Sequence, residues 1–121
     1  MSRKVVICDD DQDIIEMLEI VLDDSNLELI TEIDSRKVVS LINDTRPDLV
    51  LLDLWMPVVT GDQVVQQIRD SSSISHIPIL IMSAAQDGHH IARESGANGF
   101  ISKPFDIDKL IEKVEEIISS G

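Results

Sequence analysis

Leu49-Val50-Leu51-Leu52-Asp53 is the stretch on which the fold turns. Four consecutive apolar residues leave no face for water. The segment therefore reads as a strand covered on both sides, the pattern of a parallel sheet between layers of helices. The run stops on a carboxylate, Asp53. Pro47 closes the connection that leads into it.

Similar short apolar runs stand at Lys4–Cys8, Leu27–Ile33, Ile77–Met82 and Gly99–Ser102. Between them lie segments of helical period. Gln12–Asp24 carries Ile14, Met17, Leu18, Val21 and Leu22 at i, i+3, i+4, i+7 and i+8, one face of a helix. Asp34 or Ser35 is expected to cap a helix running to about Asp44. Thr60-Gly61-Asp62-Gln63 has the capping-box form and opens a helix to about Asp70. A short helix fits His89–Glu94, stopped by Gly96. Asp106 caps a last one, in which Ile107, Leu110, Ile111, Val114, Ile117 and Ile118 keep the period. Strand and helix thus alternate five times. This (βα)5 order predicts a doubly wound, five-stranded parallel sheet with right-handed crossovers.

In such sheets ligands bind beyond the carboxyl ends of the strands. The first apolar run ends in Asp9, Asp10 and Asp11, the third in Asp53, the fourth in Ser83 and the fifth in Ser102, Lys103 and Pro104. Taken singly, each is an ordinary turn, cap or surface residue, and Asp11 serves equally well as a helix N-cap. Taken together, clustered carboxylates repel unless a positive charge sits among them. A hard divalent cation such as Mg²⁺ suits one or two carboxylates, several waters and a substrate phosphate. Carboxylate, hydroxyl, ammonium and metal together are the parts of a phosphoryl-transfer site.

The rest of the chain sets bounds. It has 121 residues, one domain's worth, with 43% hydrophobic residues, four Pro and five Gly. No apolar run approaches a membrane span, and the start, MSRKVVICDD, is not a signal peptide, so a cytoplasmic location is expected. The formal net charge of −13 argues against nucleic acid as a direct partner of this domain. The sole cysteine, Cys8, lies in an apolar run and reads as a small core residue. His76, His89 and His90 form no metal-ligand pattern and read as surface residues.

Val5-Val6-Ile7-Cys8-Asp9-Asp10-Asp11, Leu51-Leu52-Asp53-Leu54-Trp55-Met56-Pro57, Ile81-Met82-Ser83-Ala84-Ala85 and Ile101-Ser102-Lys103-Pro104-Phe105 together resemble the response-regulator receiver domains of two-component signalling. The resemblance covers essentially the whole chain, 1–121, as a single domain. It leaves open whether that domain stands alone or belongs to a longer regulator or hybrid kinase. It implies the flavodoxin-like strand order 2-1-3-4-5. It also implies that Asp53 accepts a phosphoryl group from a histidine kinase or histidine phosphotransfer protein, and that a downstream effector reads the result. Asp9 and Asp10 correspond to the acidic pair, Asp10 being the more direct Mg²⁺ ligand. Asp53 and the backbone carbonyl of Trp55 would complete the protein's ligands. Lys103 would pair with the phosphoryl group, and the Lys103–Pro104 bond would be cis. Ser83 would bind a phosphoryl oxygen on activation. Phe100 would rotate into the space vacated, an aromatic switch without a hydroxyl, unless it is simply core. Trp55 and Ala85 are the side chains placed to set phosphate lifetime.

Some features are particular to this chain. Nineteen residues separate Ser83 from Lys103, about two fewer than in many relatives, so a short loop and a short fourth helix are expected. Ile14 and Ile15 are adjacent on the first helix. With Ile14 on the apolar face, Ile15 is expected to point outward beside the site and help dock the kinase. Three other readings compete with this one. An unphosphorylated pseudo-receiver acting as a binding module needs a lost acid or lysine, and none is lost. A phosphatase of the haloacid dehalogenase type needs a second Asp two residues after the nucleophile, where Trp55 stands. A dinucleotide-binding domain needs a Gly-x-Gly-x-x-Gly after the first strand, and there is none.

Overall fold

The computed structural model describes residues 3–23, 26–84 and 86–120. Its strands are β1 (Arg3–Cys8), β2 (Leu27–Glu32), β3 (Leu49–Asp53), β4 (Ile79–Ser83) and β5 (Gly99–Ser102). Its helices are α1 (Gln12–Val21), α2 (Val38–Thr45), α3 (Gly61–Arg69), α4 (Gly88–Ser95) and α5 (Ile107–Ser120). All strand pairs are parallel, in the order β2-β1-β3-β4-β5.

Successive strand residues face opposite sides, and the two sides are different cores. Val6, Cys8, Val50, Leu52, Ile79 and Ile81 pack with Val38 and Ile42 of α2, Val64, Val65 and Ile68 of α3 and Ala92 of α4. Val5, Ile7, Leu49, Leu51, Leu80 and Met82 pack with Ile15 and Leu18 of α1 and Leu110 and Val114 of α5. Every residue of β3 and β4 is buried, which is why those strands read as continuous apolar runs. β2 lies at a sheet edge and mixes exposed with half-buried positions.

Local chemistry fixes the helix ends. The Asp11 carboxylate accepts the Asp13 N–H at 2.9 Å and so caps α1. Gln63 Oε1 accepts the Thr60 N–H at 3.0 Å at the start of α3. The Asp106 carboxylate accepts the Lys109 N–H at 3.2 Å at the start of α5. Gly96 ends α4 with φ of 98°, a left-handed conformation that glycine adopts without strain. Two element starts differ from expectation by more than one residue. The segment after Asp34 begins as a 3-10 turn, Ser35–Lys37, before α2 proper, because Asp34 caps at Arg36 and the turn tightens there. β4 begins at Ile79 rather than Ile77; the Ile77 N–H bonds back to the Ile74 carbonyl, a turn that precedes the strand. α1 ends at Val21, and the expected end at Asp24 lies outside the described residues.

One orientation is corrected. Ile15 does not face outward: it is buried, while Ile14 is only partly so. The inner row of α1 is Ile15, Leu18 and Leu22, at i, i+3 and i+7, and Ile14, Met17 and Val21 form its flank. Both rows keep helical spacing, so the period alone did not say which was central. A kinase-docking role for the Ile15 side chain is thereby removed.

Candidate functional site

The strand register brings the sequence-predicted residues to one edge. Cys8 pairs with Leu52, Asp53 with Met82 and Ser83 with Ser102. Asp9, Asp53, Ser83 and Lys103 therefore follow one another across the carboxyl ends of β1, β3, β4 and β5. In this order the chain winds from β1 outward to β2 and then returns to β3 on the other side. The gap between the ends of β1 and β3 is the topological switch point, and Asp9 and Asp53 flank it.

Lys103 joins them. Its Nζ donates to Asp9 Oδ2 at 2.8 Å and to Asp53 Oδ1 at 2.9 Å. The side chains of Asp9 and Asp53 are 1% and 8% exposed, so these are ion pairs in a largely desolvated place. Asp9 Oδ1 also accepts the Asp11 N–H at 3.0 Å, which fixes its rotamer. Asp10 is exposed at the rim. Carboxylate oxygens of Asp9, Asp10 and Asp53 lie within 4.8 Å of one another. Lys103 directly follows β5, and its bond to Pro104 is cis, as expected.

The electrostatics follow from that crowding. Burial pushes the Asp53 carboxyl up to about 6; the Lys103 hydrogen bond opposes this, and the neighbouring Asp9 and Asp10 charges add to it. Burial alone would lower Lys103, but its hydrogen bonds to Asp9 and Asp53 outweigh that and raise it. Burial and the charges of Glu32, Asp9, Asp53 and Asp10 push the Cys8 thiol up to about 12. Cys8 is buried with Sγ 3.6 Å from Met56 Sδ, a core residue under the site. Three carboxylates and one ammonium leave a net negative site of hard oxygen donors. That donor set fits a small divalent cation rather than a soft one.

Ser83 is buried at the end of β4. Phe100 is partly buried against the α2–α4 core and stacks on His89 of α4, ring centroids 5.5 Å apart. Trp55 is 52% exposed on the segment between β3 and α3. Ala85 lies outside the described residues.

Three contributors were not anticipated. A Cβ on Gly61 would stand 2.4 Å from the Asp53 carbonyl oxygen, so only glycine lets α3 start directly against the strand end. A Cβ on Gly88 would meet Phe100 Cε2 at 2.9 Å and Ser83 Cβ at 3.0 Å, so α4 starts against both. Ser35 is buried and bonds to the segment after Asp53. Gly at the first turn of a helix was the available signal for the first two. Nothing in the sequence marked Ser35 as more than a cap.

The model of the response regulator receiver domain family matches residues 5–115. The chain belongs to this family. The receiver domain is 33% identical over 119 residues to the transcriptional regulatory protein PrrA of Mycobacterium leprae, covering 97% of this chain and 50% of that protein. It is 34% identical over 116 residues to the DNA-binding response regulator MtrA of Mycobacterium tuberculosis, covering 94% and 50%. It thus spans half the length of these curated relatives. Among solved structures, a response regulator from Chloroflexus aurantiacus superimposes with a TM-score of 0.92 at 26% identity, over 98% of this chain and 99% of that one. The chemotaxis response regulator CheY4 of Vibrio cholerae gives 0.88 at 28% identity, over 97% and 99%. Among the described residues, no helix is long and apolar enough to cross a membrane.

Proposed function

We propose that this receiver domain, residues 1–121, takes up a phosphoryl group on Asp53 from a phosphohistidine of a histidine kinase or phosphotransfer protein. The observation that carries the reading is the Asp9–Lys103–Asp53 bridge at the switch point, with the Asp10 carboxylate within reach of the same space. Asp53 attacks phosphorus through a carboxylate oxygen; a P–O bond forms, the P–N bond breaks, and the electron pair leaves on the donor imidazole. Lys103 is already within hydrogen-bond distance of Asp53, so it offsets the phosphoryl charge without a large side-chain movement. Asp9, Asp10, Asp53 and the Trp55 carbonyl are the groups that would hold Mg²⁺. When bound, the ion supplies neutralisation of the phosphoryl oxygens.

Ser83, buried beside the site, binds a phosphoryl oxygen after transfer, and Phe100 responds through the contacts it shares with α4. The partner of the switched surface is a downstream effector protein or domain. With a net charge of −13 the domain itself does not hold nucleic acid; the DNA binding named for MtrA is that of a protein twice this length. A cytoplasmic location is consistent with the family. It is a signalling module that assists its own phosphorylation and dephosphorylation rather than a turnover enzyme.

Trp55 is the only tryptophan and gives the test. Its fluorescence should change with Mg²⁺ and again with beryllofluoride, and Asp53→Asn should abolish the second change. No response in the unmodified chain would instead identify a pseudo-receiver.

A further inference from the structure

Among the described residues, five polar or charged side chains are buried. Asp9, Asp53 and Ser83 belong to the site, and Ser95 bonds within its own helix, to the Ala92 carbonyl. Ser35 is different, because it reaches a segment more than twenty residues away. Its hydroxyl donates to the Pro57 carbonyl at 2.9 Å and accepts the Val59 N–H at 3.3 Å. The same two groups bond each other at 2.8 Å across Val58. Ser35 thus brackets a three-residue γ-turn.

That turn is strained. Val58 has φ of 72°, a conformation β-branched residues rarely adopt. Its side chain is 76% exposed, so packing of that side chain does not hold it there. Such a conformation persists only where the surroundings over-determine it, and Ser35 is the surrounding group bonded to both arms. The segment between β3 and α3 is closed twice. At its base the Gly61 N–H bonds the Leu54 carbonyl at 2.7 Å. At its tip stands the Ser35 clamp. Trp55 and Met56 lie between the closures, with Met56 buried over Cys8.

We propose that Ser35 is a positioning residue for the cation site: its hydroxyl holds the Pro57–Val59 turn and thereby the backbone of Trp55 beside Asp53. The proposal rests on the reading that Trp55 and Asp53 contribute to Mg²⁺ binding. Ser35 touches neither cation nor phosphate. It acts through the loop, as outer groups around metal sites do, where removal typically weakens binding about 10- to 100-fold.

The test is a MgCl₂ titration of the EDTA-treated chain followed by Trp55 fluorescence. Ser35→Ala should weaken Mg²⁺ binding roughly tenfold, at the low end of that range. Adding Val58→Gly should recover most of the loss, because glycine accepts a positive φ without strain. A merely destabilising Ser35→Ala would not be rescued by a glycine at position 58. By linkage, Mg²⁺ should in turn slow hydrogen exchange at the Val59 amide of the unmodified chain; this readout needs no variant to fold. If the unmodified chain titrates but Ser35→Ala binds Mg²⁺ as tightly, or Mg²⁺ leaves Val59 exchange unchanged, the proposal is overturned alone. If the unmodified chain shows no Mg²⁺ response, the functional reading falls and takes the proposal with it.

Discussion

Replacing Asp53 by Asn should make the metal-free domain more stable at neutral and alkaline pH. The Asp53 carboxyl rises from an ordinary 3.8 to about 6, burial being the main cause. A raised acid binds its proton more tightly folded than unfolded. Its ionisation therefore costs nothing below pH 3.8 and costs most above pH 6. At about 1.4 kcal/mol per tenfold change in affinity, the full cost is on the order of 3 kcal/mol. Asn also gives up the ionic bond from Lys103, which acts in the opposite direction. A net gain of about 1–3 kcal/mol is expected at pH 8 in EDTA. For a domain of this size, about 3–5 °C in Tm accompanies each kcal/mol. Thermal unfolding of both proteins, followed by circular dichroism from pH 3.5 to 8, tests this. The gap in Tm should open as pH rises through 4 to 6.5 and stay constant above. Saturating Mg²⁺ should narrow or reverse it, because a ligand that binds the folded state stabilises it by mass action. A lower Tm for Asp53→Asn at pH 8 in EDTA would show that the Lys103 bond outweighs desolvation, and the reasoning would be wrong.

Other perturbations have definite outcomes. Lys103→Met leaves two buried carboxylates facing each other and should cost about 3 kcal/mol in EDTA by urea unfolding, most of it regained at pH 4, where Asp53 is protonated. The same variant should slow phosphorylation by acetyl phosphate about 10²-fold, measured by intact mass over time. Gly61→Ala places a methyl group 2.4 Å from the Asp53 carbonyl oxygen and should cost about 1–3 kcal/mol while weakening Mg²⁺ binding. Ile15→Ala should cost about 2–5 kcal/mol without altering the rate of transfer from a kinase once folding is allowed for. The Cys8 thiol, buried and pushed up to about 12, should not react with a thiol reagent at pH 8 until the protein unfolds.

Much of this was legible in the sequence because the relevant physics is local. Leu49–Leu52 had to be buried on both faces, and the residue that ended the run had to sit at the sheet edge. Asp11 and Asp106 cap because a backbone N–H two or three residues further on needed an acceptor. The outward reading of Ile15 failed because two adjacent rows of one helix both keep period 3.6, and only the fit of α1 against Leu49 and Leu51 chooses between them. Ser35 was read as a cap because its partners lie at Pro57 and Val59, a contact made only by the packing of α2 beside the β3–α3 segment. The exposed Trp55 and the His89–Phe100 stack belong to the same class, set by how the β3–α3 segment and α4 settle once the strands are in register.

The central claim is that Asp53 is the phosphoacceptor. Incubation of the full chain with Mg²⁺ and acetyl phosphate, followed by intact-mass and peptide mass spectrometry, tests it most directly. The account predicts one added phosphoryl group, on the peptide carrying Asp53, dependent on Mg²⁺ and absent in Asp53→Asn. No mass gain, or a gain that survives Asp53→Asn, would contradict it.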